Sequence, residues 1–297
     1  MDSANAASAA SSKNKGGLAQ RILSAAVMLP MVIVVAWWSV WSVAVAVAVA
    51  GVIGVTELYG VMRVGGYRPR VFVGVAIALA SILAFLLQPL IGRDLTLPVV
   101  TLAIVGSLVV EVIDYRAQGA LPSWGLTLAG ALYVGWLFGH FVLLRSLDTP
   151  LNASLFTPLR IAPGTAWIFM IFAITFIQDT AAYFVGRHWG RHKMVPVLSP
   201  KKTWEGAIGG LIGSIAAGLL CVPLFGLPIT LAQAALLGLV GGFVGPLGDL
   251  AESFIKRQVG VKDAGHLIPG HGGILDRADS LLFNGAVLYY LILLLAR

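Results

Sequence analysis

Between Gly248 and Ser280 the chain reads G-D-L-A-E-S-F-I-K-R-Q-V-G-V-K-D-A-G-H-L-I-P-G-H-G-G-I-L-D-R-A-D-S. Only 11% of the residues are charged, yet this segment gathers Asp249, Glu252, Lys256, Arg257, Lys262, Asp263, Asp276, Arg277 and Asp279 around His266 and His271. If the preceding apolar stretch stays helical to its charged end, Asp249, Glu252, Ser253 and Lys256 fall at i, i+3, i+4 and i+7, which is one face. The glycines and proline that follow, Gly260, Gly265, Pro269, Gly270, Gly272 and Gly273, break any helix. Exposed backbone of that kind is not tolerated in lipid, and a glycine-rich loop brings N–H groups close to an anion. Two separated aspartates with no cysteine beside them are hard oxygen ligands, suited to Mg²⁺ or Mn²⁺ rather than zinc. The plainer alternative is an ion-paired loop whose acids neutralise Lys256, Arg257, Lys262 and Arg277.

A second cluster lies upstream. Asp179 and Tyr183 are one helical turn apart, followed by G-R-H-W-G-R-H-K and then S-P-K-K-T-W-E-G from Ser199 to Gly206. Ser199, Lys201, Lys202 and Thr203 offer two hydroxyls and two ammonium groups within five residues, a holder for phosphate oxygens. A basic loop standing alone reads as a lipid head-group contact; opposite a candidate magnesium site it reads as a triphosphate clamp. His188 and His192 read as interfacial surface residues, His140 as a hydrogen-bonded helix contact and His266 as a loop residue. His271, between two glycines, is either a phosphate donor or a loop-locking hydrogen bond.

The elements that must position these groups are membrane helices. The 297 residues are 58% hydrophobic, and their mean hydropathy of +0.91 excludes an ordinary soluble domain. With a bilayer core needing roughly 20 apolar residues in helix, the sequence predicts an all-α polytopic membrane protein with about nine spans. These are Ala19–Trp38, Ser42–Met62, Val71–Ile91, Leu97–Ile113, Trp124–Leu144, Thr165–Gly186, Ala207–Phe225, Leu231–Phe254 and Leu281–Ala296. Residues 1–17 read as a disordered polar tail, residues 18–150 as spans 1–5, and residues 151–297 as a catalytic region of spans 6–9 with its loops. Nine spans put Lys13, Lys15, Arg21, Arg63, Arg68, Arg70, Arg116, Arg187, Arg191, Lys193, Lys201, Lys202, Lys256, Arg257, Lys262 and Arg277 on one side, against Arg93, Arg145, Arg160 and Arg297. The positive-inside rule then makes the crowded side, and the N-terminus, cytoplasmic. Glu57, Glu111, Asp179 and Asp249 fall near the same ends of their helices, so the chemistry is expected to face the cytoplasm. For Glu57 and Glu111 the plain reading is an interfacial acid paired with a nearby arginine. Cys221 is the only cysteine and reads as a small core residue. The net charge of +7 is explained by anionic lipid head groups and a polyphosphate substrate, with no nucleic-acid partner.

The run from Ser253 to Asp279, S-x-I-K-R-x-x-x-x-K-D-x-G-x-x-I-P-x-H-G-G-I-x-D-R-x-D, resembles the C-terminal signature of the phosphatidate cytidylyltransferase, or CDP-diacylglycerol synthase, family. The S-P-K-K-T-W-E-G run and D-T-A-A-Y-F-V-G-R from Asp179 to Arg187 are similar to further blocks of its bacterial members, and Arg21 with Pro30 to its first helix. The match is strong over about the last 120 residues. Ala278 stands where the family more often has a larger apolar residue or threonine, and the polar tail is longer than usual. The resemblance implies a Mg²⁺-dependent reaction of CTP with phosphatidate, giving CDP-diacylglycerol and pyrophosphate, in a homodimeric multi-pass enzyme of the inner membrane. It implies Asp249 and Asp276 as metal ligands, the number of bound cations being left open. Lys256, Lys262, Asp263, His271 and Asp279 complete the catalytic site. By the same resemblance Ser199, Lys201, Lys202 and Thr203 are expected on the phosphates and Asp179, Arg257 and Arg277 at the substrates, Asp179 either binding a metal or orienting a lysine. Related readings are a CTP-dependent lipid kinase, an archaeol-type cytidylyltransferase and, in a different class, an ion-coupled transporter.

Overall fold

The computed structural model describes residues 26–115, 118–265 and 272–296. The expected tail at residues 1–17, Arg21, Arg116, His266 and His271 lie outside these residues. The described residues form nine apolar helices: α1 (Ala26–Trp38), α2 (Val40–Val64), α3 (Val71–Ile91), α4 (Thr96–Ile113), α5 (Ala120–Arg145), α6 (Pro163–Trp189), α7 (Trp204–Phe225), α8 (Leu231–Gln258) and α9 (Leu275–Leu295). All but α1 are long and apolar enough to cross a membrane, so the chain is a multi-pass, all-α membrane protein. Helices suit these sequences because each satisfies its own backbone hydrogen bonds, which lipid cannot do.

Local chemistry sets the breaks. Ser39 is extended between α1 and α2 and forms a capping box with Ser42, each side chain accepting from the other's N–H at 3.0 Å. The expected turn between the first two spans is therefore a single residue. Helix α5 contains a π-helical turn at Leu132–Trp136, and α8 carries Pro246 inside it.

Most helix ends fall within four residues of expectation, and two elements differ more. Helix α9 begins at Leu275 rather than Leu281, because Asp276, Arg277, Asp279 and Ser280 lower the local hydropathy without opposing helix; Asp276 in fact suits a first turn. The S-P-K-K-T segment is a strand, not a loop: β2 (Ser199–Thr203) pairs antiparallel with β1 (Lys193–Val195). Thr203 then caps α7, its hydroxyl oxygen accepting the Gly206 N–H at 3.2 Å.

The helices run alternately up and down, so the connections at residues 65–70, 114–119, 190–203 and 259–274 share one end, here called the charged end. At this end Arg70 is paired with Glu111 and with Asp114, the arrangement expected for Glu111. At the opposite end Arg145 donates to the Ala36 and Trp37 carbonyls, at 3.0 and 3.3 Å, and so caps α1. Small residues let α7 and α8 approach closely: a Cβ on Gly238 would stand 2.6 Å from the Ile215 Cα, and one on Gly218 2.6 Å from the Ala234 carbonyl oxygen. The N-terminal helices close around Tyr59, whose hydroxyl donates to the Thr127 carbonyl at 2.5 Å. His140, fully buried, contacts Phe85, Trp136, Tyr289 and Tyr290 as a helix contact rather than a site residue.

Candidate active site

The charged end of α8 meets the first turn of α9. The Lys256 ammonium lies 2.7 Å from Glu252 Oε2 and 2.7 Å from Asp276 Oδ1, with Glu252 and Lys256 both buried. The i, i+4 spacing of Glu252 and Lys256 aligns them on one face, as predicted. Asp276 also gathers its loop: Oδ2 accepts the Gly273 N–H at 2.8 Å and the Ala264 N–H at 3.0 Å. Gly272 is in the left-handed region, at φ +84°, and a Cβ there would stand 2.7 Å from Asp276 Oδ2. Glycine is thus required where the chain folds over this carboxylate.

A residue from the other half of the chain completes the corner. The Glu57 carboxylate, from α2, accepts the Ile274 N–H at 3.1 Å and the Leu275 N–H at 3.0 Å. It caps α9 in the manner of a helix N-terminal anion site, so its partner is a helix end rather than the arginine expected. A Cβ on Gly265 or Gly273 would stand 2.5 Å from a Glu57 oxygen, so these glycines admit the carboxylate.

Towards the hairpin, Lys202 of β2 places its ammonium 2.8 Å from Asp249 Oδ2 and donates to the Pro246 carbonyl at 3.1 Å. Asp179 on α6, Asp249 on α8 and Asp279 on α9 lie within electrostatic reach of one another. Three helices thus bring three carboxylates together, with Lys202 and Lys256 as the nearby cations.

The expected residues therefore divide. Asp179, Lys202, Asp249, Lys256, Asp276 and Asp279 converge. Ser199 and Lys201 lie on the hairpin, Lys201 exposed, and Thr203 is buried as the α7 cap. Lys262 and Asp263 are exposed on the loop beside Ala264. Arg257 donates to the Val261 carbonyl at 2.9 Å and tightens that loop, while Arg277 lies exposed on the first turn of α9. Tyr183 accepts from Arg187, and His192, at the surface, contacts Glu205 at 2.6 Å. Glu57 was outside the expected site, and Glu252 entered it only as part of the α8 stripe.

Carboxylate oxygens are the kind of donor that a hard divalent cation takes. The oxygens of Asp249 and of Asp276 each already face an ammonium group in this structure, so both accept positive charge. Among the described residues no three His, Cys, Asp or Glu side chains close on a single point. An ion held here would fill its remaining positions from water and phosphate oxygens, as Mg²⁺ characteristically does.

Fold and site together define a multi-pass membrane enzyme with acids and lysines gathered at one end of its helices. The chain belongs to the cytidylyltransferase family, whose model matches residues 19–295. It is 33% identical over 290 residues to a phosphatidate cytidylyltransferase of Synechocystis, covering 93% of this chain and 97% of that one. A protein of the same name from Brucella suis is 42% identical over 171 residues, 56% of each chain. One from Bacillus subtilis is 39% identical over 169 residues, 57% of this chain and 58% of that one.

Proposed function

We infer that the chain is a phosphatidate cytidylyltransferase: CTP and phosphatidate give CDP-diacylglycerol and pyrophosphate. A phosphatidate oxygen attacks the α-phosphorus of CTP, a P–O bond forms there, and the bond to the β-phosphate oxygen breaks so that pyrophosphate leaves. The observation that carries this reading is the pair of lysines, Lys202 and Lys256, each held by carboxylates at the charged end. The attacking phosphate is already anionic, so the barrier lies chiefly in bringing two anions together, and fixed cations lower it.

Asp249 and Asp276 would hold Mg²⁺, with Asp179 and Asp279 adding negative charge nearby. Bound there, magnesium supplies Lewis acidity at the phosphate oxygens. Lys202, Lys201 and Ser199 on the hairpin take the triphosphate, and Lys256 lies where the two phosphates meet. The reading also assigns Arg257, Lys262, Asp263, His271 and Arg277 to the reaction, on the motif that carries them. Glu57 and the glycines around it keep the loop before α9 folded onto that helix.

The reading includes the cytoplasmic side of the inner membrane for the charged end, supported by the excess of Lys and Arg there. It also includes a homodimer. Purified protein incubated in detergent with labelled CTP, phosphatidate and Mg²⁺ tests the reaction. Labelled lipid together with released pyrophosphate supports transfer, whereas release of CDP would point to a kinase. Nucleotide-free, gradient-driven ion flux in proteoliposomes would point to a transporter.

A further inference from the structure

At the end of the helices away from the charged end, residues of α3, α5 and α9 line a cavity of about 330 Å³. Two helix ends meet there: Gln88 stands in the last turn of α3 and Ser146 directly after α5, while Tyr289 comes from α9. Arg93 and Asp94, the first charged residues after α3, line it as well and are exposed. These groups keep bonding capacity in reserve. Asp94 Oδ1 accepts the Thr96 N–H at 2.8 Å and the Thr96 hydroxyl, which fixes the carboxylate and leaves Oδ2 without a partner among the described residues. Gln88 Oε1 is buried and has no hydrogen-bond partner among them either. The Ser146 hydroxyl donates to the Val142 carbonyl at 2.9 Å, so its oxygen can still accept. Arg93 and the Tyr289 hydroxyl form no hydrogen bond or ion pair among the described residues.

The cavity therefore offers both signs of charge. The Arg93 guanidinium suits a phosphate, and the Tyr289 hydroxyl adds a second donor. Asp94 Oδ2, Gln88 Oε1 and Ser146 Oγ are acceptors, and the C-terminal ends of α3 and α5 add the negative poles of two helix dipoles, which favour a cation. A head group bearing a phosphate and a primary ammonium uses both sets, whereas a quaternary ammonium has no N–H to give. Beside Arg93 and Asp94, Leu90, Ile91 and Leu97 are exposed, an apolar surface along which acyl chains can lie. We propose that this cavity binds the head group of a phospholipid with a primary ammonium, phosphatidylethanolamine being the simplest, in the leaflet opposite the charged end. Bound there, the lipid ties the connection between α3 and α4 to α5 and α9.

The site is independent of the reaction at the charged end, and its test needs no turnover. Delipidated protein in detergent receives phosphatidylethanolamine, phosphatidylcholine or phosphatidylglycerol with matched dioleoyl chains, and native mass spectrometry reads the lipid retained per chain. Wild type should retain phosphatidylethanolamine about tenfold over phosphatidylcholine, the difference lying in ammonium hydrogen bonds to a carboxylate. The same lipid should raise the thermal midpoint, which phosphatidylcholine does not. Arg93→Ala, a change at an exposed position, should lower retention of phosphatidylethanolamine and phosphatidylglycerol alike, by about tenfold. Asp94→Asn keeps an acceptor for Thr96 and should remove the preference for phosphatidylethanolamine while leaving phosphatidylglycerol unchanged. Equal retention of phosphatidylethanolamine and phosphatidylcholine by wild type would overturn the proposal without recourse to any variant, as would wild-type retention in both variants. Displacement of the lipid by an equal concentration of soluble glycerophosphoethanolamine would also overturn it, making the occupant a soluble phosphodiester instead of a lipid.

Discussion

Lys202 of the hairpin and Asp249 of α8 face each other at 2.8 Å, although 47 positions separate them in sequence. The contact joins the basic segment to the acidic one, and in the proposed function it marks where the triphosphate and the divalent ion meet. Lys202→Ala removes a charged donor to phosphate, and the expected result is a rise in KM for CTP of about tenfold or more. Steady-state kinetics at saturating phosphatidate check it; an unchanged KM would move this lysine out of the clamp.

Glu57 is expected to act on stability through the end of α9. Glu57→Ala leaves the Ile274 and Leu275 N–H groups without their anion, which costs about 1–2 kcal/mol by comparison with other lost helix caps. The thermal midpoint in detergent should fall by several degrees, whereas the Glu57→Asp variant, whose shorter side chain keeps the charge, should lose less. Equal stability of wild type and Glu57→Ala would mean the cap contributes nothing.

Arg70 tests the charged end away from the site. Its guanidinium is shared between Glu111 and Asp114, and both the Arg70 and Glu111 side chains are only 12% exposed. Pairing with Glu111 first, then Asp114, holds its proton more tightly than usual. Arg70→Ala leaves Glu111 and Asp114 without their shared cation, at a cost of about 1 kcal/mol. Chemical unfolding should show the loss, while the activity per folded molecule stays at the wild-type level.

Gly238 probes the close crossing of α7 and α8. Gly238→Leu would force side-chain atoms into the Ile215 backbone, which a Cβ alone would already approach to 2.6 Å. Because Asp249 and the hairpin sit on these two helices, the variant should lose both monodispersity and activity. Size-exclusion chromatography before and after mild heating reads this directly.

Much of this architecture is legible in the sequence because hydropathy and charge are coupled in a membrane helix. The apolar runs set the spans, and the placement of Lys and Arg set their alternation. Lys256, Asp276 and Asp249 were legible as well, since a charge in so apolar a chain needs a partner. Glu57 was not: a lone acid near a helix end gives no sign that it will cap a helix 217 positions away. The hairpin was missed because a three-residue strand and a five-residue one containing Pro200 carry too little alternation to register as a period. The start of α9 was displaced for a related reason, its polar first turn being helical through tertiary contacts with Glu57 and Lys256 rather than through hydropathy.

The central claim is that the acids and lysines at the charged end carry out cytidylyl transfer, and Asp276 is its most direct test. Purified wild-type and Asp276→Asn proteins, each shown to be monodisperse, are incubated with labelled CTP, dioleoyl phosphatidate and Mg²⁺. The account predicts labelled CDP-diacylglycerol with one pyrophosphate per lipid from wild type, abolished by chelator, and no turnover from Asp276→Asn. Full activity in the variant, or no lipid product from folded wild-type protein, would contradict it.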